Sequence, residues 1–191
     1  MRSWTRTTSM VKPDTRLLLR CAMFAALTAV GAFIRIPFAL SAITLQFFFT
    51  AMAGLVLGAG WGAVSQAIYL LLGLIGLPIF AAGGGIGYVL YPSFGFLLGL
   101  IPSAWLVGRL GAGSTNPWRI AGACAAGLGV LYLVGLPYMA LIFGVYRSEP
   151  ISFLRLIRDG MLIFLPGDAL KIAVCMLLAP QLTRRIAVKA S

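Results

Sequence analysis

Residues Tyr69 to Gly99 read YLLLGLIGLPIFAAGGGIGYVLYPSFGFLLG. An apolar run of helix length is followed by Gly83, Gly84, Gly85 and Gly87, then by Tyr88 and Tyr91, and Pro92-Ser93 opens a second apolar run. Two lipid-soluble spans and the turn between them are written in this one stretch. A connection so rich in glycine and free of charge reads as backbone lining a cavity rather than as a solvated loop. Glycine lets the main chain approach a ligand or a neighbouring helix with no side chain in between. Non-helical backbone at membrane depth persists only where protein or enclosed water satisfies its amides. A compact turn where two helices touch fits the glycines alone equally well.

The whole chain has the same character. Hydrophobic residues make up 61% and charged residues 10% of its 191 positions, with a mean hydropathy of +1.00. Soluble domains carry about 25% charged residues, so the chain is read as an integral membrane protein. A spanning helix takes ~20 residues, which leaves room for six or seven spans and no separate soluble domain. The reading is an all-α six-transmembrane-helix bundle with glycine-rich outer loops, a single domain over 1–191. Its spans are expected near 17–34, 43–58, 62–80, 92–107, 120–146 and 168–183. Residues 1–16 read as a cytoplasmic tail and 147–166 as an outer interfacial segment.

The net charge of +11 does not point to nucleic acid, because the cations sit at span ends rather than along one basic face. With the N-terminus inside, Arg2, Arg6, Lys12, Arg16, Arg20, Arg109, Arg119, Arg184, Arg185 and Lys189 fall on the cytoplasmic side. Arg35, Arg147, Arg155 and Arg158 fall outside, and Lys171 lies within a span. Ten cations against four satisfy the positive-inside rule. Both termini are thus expected in the cytoplasm of a multi-pass plasma-membrane protein. On that orientation the glycine cluster, Thr44, Gln46 and Asp168 all lie toward the outer face.

Asp168 and Lys171 carry most chemical information. They stand three residues apart, on one helix face, in the only span expected to hold two opposite charges. A charge within the hydrocarbon costs about 2.5–3.5 kcal/mol on insertion scales, so such residues usually face a cavity or a ligand. A structural pair, with Asp168 at the helix start and Lys171 snorkelling to water, is the other reading. Gln46 near a span start either reaches the interface or contacts a ligand. Ala22, Ala25, Ala26, Ala29 and Ala32 make the first span a small-residue face open to close helix packing, from within the chain or from a second protein.

Covalent chemistry finds no support. None of the three lysines follows a glycine, so there is no GxxxxGK[ST] phosphate loop. There is no histidine, Cys21, Cys124 and Cys175 are scattered, and Ser93 has no nearby base. The reading is a binder or carrier, with no catalytic residue, metal or cofactor.

The combination resembles the BioY family, the biotin-binding S components of energy-coupling factor transporters. It rests on Ala22, Ala26 and Ala29, on Ile43-Thr44-Leu45-Gln46, on Tyr69 to Phe80, on the glycine loop and on Leu165-Pro166-Gly167-Asp168-Ala169-Leu170-Lys171. Pro92-Ser93-Phe94-Gly95-Phe96 departs from the family's usual Pro-Thr-Gly-Gly-Tyr: Ser93 keeps the hydroxyl, and Phe96 carries no phenol. The resemblance implies that biotin is bound from outside and delivered inward with a transmembrane coupling protein and two ATP-binding subunits. Ala22, Ala26 and Ala29 would then dock the coupling protein. Asp168 would accept from the ureido N–H groups, and Lys171 would either pair with the ligand carboxylate or hold Asp168. Gln46, Ser93, Tyr88 and Tyr91 would add polar contacts, and the glycine loop with Gly84 would pack on the bicyclic ring. An S component for another vitamin, or a stand-alone facilitator using Asp168, are the alternatives.

Overall fold

The computed structural model describes residues 15–37, 42–148 and 151–188. The expected tail falls almost wholly outside them, as do Arg2, Arg6, Lys12, Glu149 and Lys189 and the side chains of Arg184 and Arg185. Helices follow the apolar runs: α1 Thr15–Phe33, α2 Gln46–Leu57, α3 Ala59–Leu74, α4 Phe94–Gly111, α5 Pro117–Leu141, α6 Phe153–Ile157 and α7 Leu165–Val188. Four stretches, Thr15–Phe33, Phe94–Gly111, Pro117–Tyr146 and Phe153–Thr183, are long and apolar enough to cross a membrane. The chain is an integral membrane protein.

At the second and third expected spans, 43–58 and 62–80, the helices are shorter than the apolar runs that hold them. At 12 and 16 residues, α2 and α3 fall short of the ~20 that a hydrocarbon core takes. Each shortening has a local cause. The chain before α2 is extended: Arg35–Pro37 (β1) pairs antiparallel with Ala42–Thr44 (β2), Ile36 opposite Ile43, so the fold is not purely helical. Leu45 N–H then donates to Gly31 O at 3.0 Å and fastens the start of α2 to the end of α1. The three-residue connection expected after residue 58 is a single-residue break at Gly58, whose φ of 82° and ψ of 176° belong to a region open essentially to glycine.

Span 3 was expected to reach Phe80, and α3 stops at Leu74. Gly76 turns the chain with φ 117°, and Pro78 keeps Leu77 out of the helical region. The connection that follows is folded on itself. Phe80 N–H donates to Gly83 O at 2.8 Å, Gly85 N–H to Gly73 O at 2.7 Å, and the Tyr69 hydroxyl to Ile79 O at 3.1 Å. These bonds supply the internal partners that irregular backbone needs at depth. A short 3-10 turn, Ile86–Leu90, leads into α4.

The irregularity expected at Pro137 lies further on. α5 runs through that proline to Leu141 and then widens into a π-helical turn, Ile142–Tyr146. The segment after it holds the single turn of α6 and a second π-helical turn, Arg158–Leu162. π turns often mark functional sites.

Small residues bring the helices together. A Cβ on Gly54 would lie 2.5 Å from Ala104 O, and one on Gly108 would lie 2.5 Å from Ala59 N, so α2, α3 and α4 meet backbone to backbone. Gly95 and Gly99 face Tyr138 and Leu131 of α5. Between α1, α2 and α3 a fully buried polar cluster replaces packing: Thr50 donates to Gln66 Oε1 at 3.0 Å, and Gln66 Nε2 donates to Ser65 Oγ at 3.1 Å. Ala22 and Ala26 of α1 face outward, while Ala25 and Ala32 are buried, so the alanine face is divided between the bundle and its surroundings.

Candidate functional site

The β-hairpin, the glycine loop, both π turns and the start of α7 gather at one end of the bundle. They surround a cavity of about 330 Å³, inside the ~300–1,000 Å³ range of small-molecule sites. Arg35 and Thr44 reach it from the hairpin, Gln46 and Phe47 from the first turn of α2, and Ala81, Ala82, Tyr88 and Tyr91 from the glycine loop. Leu97, Leu100 and Leu131 form its apolar depth, and Phe143, Arg147 and Gly160 come from the π-turn region.

Its most polar wall is made by α7. Pro166 near the helix start gives up no bonded amide, since first-turn N–H groups lack intrahelical partners, and this places Asp168 in the first turn. The carboxylate does not point back along its own helix. Oδ2 accepts from the Tyr132 hydroxyl at 2.6 Å, and Oδ1 accepts from Lys171 Nζ at 2.7 Å. Asp168 is 4% exposed and Lys171 8%. Burying two ions costs several kcal/mol each, offset only with close geometry and further hydrogen bonds. Here a third group, the phenol on α5, completes the set.

Opposite chemistry lines the glycine loop. Tyr88 and Tyr91 stack at 4.8 Å with an interplanar angle of 15°, and Phe80 lies 4.8 Å from Tyr88. Phe80 is seated over Gly73, where a Cβ would stand 2.0 Å from its ring. Arg35 and Arg147 are exposed where the deep charges are buried, so the cavity has a dry ionic end and a wet cationic mouth. The guanidinium of Arg147 lies 5.1 Å over the Phe143 ring, and Arg35 donates to the Ala81 carbonyl.

Of the residues picked from sequence, Asp168, Lys171, Gln46, Ser93, Tyr88 and Tyr91 all line this cavity. Gln46 has much of its amide engaged, donating to the Tyr69 hydroxyl at 2.8 Å and accepting from the Thr44 hydroxyl at 2.9 Å. Ser93 stands at the N-cap of α4 without capping it, which leaves its hydroxyl to the cavity. Gly84 does not line it; a Cβ there would sit 2.1 Å from Leu77 O, so this glycine serves a backbone contact inside the loop. Ala22, Ala26 and Ala29 lie on α1 away from the cavity. Tyr132 was not found from sequence, because it sits among Leu, Val and Gly with no local polar neighbour. Among the described residues no group of three or more potential metal ligands occurs.

Comparison with known proteins places these features in company. A family model described as the BioY family matches residues 4–188. The probable biotin transporter BioY of Lysinibacillus sphaericus is 39% identical over 176 residues, covering 91% of this chain and 90% of that protein. The biotin transporter BioY of Thermotoga maritima is 35% identical over 171 residues, 88% of this chain and 96% of its own. Among solved structures, the S-component for biotin from an ECF-type ABC transporter superposes with a TM-score of 0.64 at 26% identity, over 88% of this chain and 91% of that one.

Proposed function

The chain belongs to the BioY family, and from that premise we propose that it is the substrate-binding S component of a biotin uptake transporter. The observation that carries the reading is the buried carboxylate at the closed end of the cavity. Asp168 is charge-balanced by Lys171 and still has lone pairs free. A carboxylate offers about four acceptor sites, and two are taken. A ureido N–H is a donor suited to a remaining one.

Lys171 at 2.7 Å from Asp168 then holds that residue rather than the ligand's carboxylate. The valerate carboxylate lies toward the mouth, near Arg35 and Arg147, and the bicyclic ring rests between the tyrosine stack and the leucines. We read the cavity as opening to the exterior, with both termini cytoplasmic and α2 and α3 crossing the membrane as inner elements of a six-helix bundle. Eight of the twelve residues of α2 are buried, which supports an interior place where contact with lipid is slight. Delivery inward needs a transmembrane coupling protein and two ATP-binding subunits, since the chain has no phosphate loop of its own. Ala22, Ala26 and Ala29 offer a small-residue face for that coupling protein.

The test is equilibrium binding of radiolabelled biotin to the purified chain in detergent, with biotin, biotinamide, thiamine and riboflavin as competitors. Biotin is expected to displace the label, biotinamide to do so about tenfold or more less well for want of an ionic partner for the arginines, and the other vitamins not at all. Failure of a folded sample to bind biotin would sink the proposal.

A further inference from the structure

We infer that Tyr132 is the positioning and specificity-determining residue of this site, holding the Asp168 carboxylate at the angle at which it accepts a ring N–H of the ligand. The inference rests on the biotin reading above and names a residue that the sequence did not. Its phenol is 2.6 Å from Oδ2 of Asp168, and the two residues are 36 positions apart on α5 and α7. Both are nearly dry, at 8% and 4% exposure. With Lys171 on Oδ1 and Tyr132 on Oδ2, each carboxylate oxygen has one protein donor. Two donors on different helices leave the carboxylate plane no freedom to turn.

The ring that carries the phenol is itself held. Phe96 meets Tyr132 edge to face at 6.2 Å and 89°. Phe96 occupies the space that the absent side chain of Gly135 leaves, where a Cβ would lie 2.4 Å from its ring. Thus α4 buttresses Tyr132 through an apolar ring, and the phenol that meets Asp168 comes from α5. Removing the hydroxyl while keeping the ring leaves Oδ2 with no side-chain donor among the described residues. The carboxylate then swings on the Lys171 contact, and the acceptor that faces the ligand loses its fixed direction.

A purely structural tie between α5 and α7 would have a different signature from a positioning group. The experiment compares wild type with Tyr132→Phe in three measurements: thermal unfolding, affinity for biotin, and affinity for a biotin methylated on a ureido nitrogen. Wild type is expected to prefer biotin over the methylated analogue by roughly ten- to a hundredfold, the worth of one hydrogen bond to a charged group. In Tyr132→Phe biotin affinity is expected to fall by about tenfold or more, and the preference over the analogue to shrink to a few-fold. A variant with a lower melting temperature but an unchanged preference would overturn the inference and leave Tyr132 as a strut. Absence of biotin binding by folded wild type would overturn it together with the proposed function, so the two failures are told apart by the wild-type measurement.

Discussion

At the scale of single residues, Asp168 and Lys171 behave as one unit. Each is buried, and each neutralises the other at 2.7 Å, so removing one partner strands a charge where water is scarce. Lys171→Met is expected to lower stability by about 3–5 kcal/mol, and the double variant Asp168→Asn/Lys171→Met to lose less than that single change. Thermal unfolding of wild type, both single variants and the double variant in the same detergent checks this; additive losses would mean that the pair is not coupled. The pairing was legible in the sequence because three positions along a helix is a local relation. Tyr132 was not, because its bond to Asp168 depends on how α5 lies against α7, which no local spacing encodes. Arg35 and Arg147 were visible only as outer cations, and their place at the cavity mouth needed the fold.

At the scale of elements, backbone exceptions mark where apolar runs stop. The runs announced helices by composition and length, but the ends of α2 and α3 hang on Gly58, Gly76 and Pro78, and on a β-hairpin whose partners are too short to give a strand signal. Gly58 separates the two kinds of glycine role. Nothing lies within 4 Å of where its Cβ would be, so Gly58→Ala tests conformation without a clash. It is expected to cost about 1–3 kcal/mol and lower the melting temperature, with biotin affinity unchanged because Gln46 and the cavity lie at the other end of α2. A matching loss of affinity would show that strain at this break reaches the site. Gly84 is the opposite case: its role in the loop is close approach to Leu77 O, which matches the compact turn that the glycines alone fitted equally well, and not the ligand packing that the family resemblance implied.

At the scale of the whole molecule, the proposed orientation sets the cavity end outside and the α4–α5 turn, with Ser114, inside. In a background with Cys21, Cys124 and Cys175 replaced by alanine, Ser114→Cys is expected to react with a membrane-impermeant maleimide only in inverted vesicles, and Ser148→Cys only in right-side-out cells. The reverse pattern would invert the topology. Beneath Leu100 and Leu131 the bundle is closed: Ser103, Ala104, Val107, Ala123 and Cys124 are at most 2% exposed. A site with a solid half below it is a blind socket rather than a conduit. On the proposed function, a blind socket delivers at most one ligand per rearrangement of the protein, so the ceiling on uptake would be set by the frequency of that motion and not by diffusion.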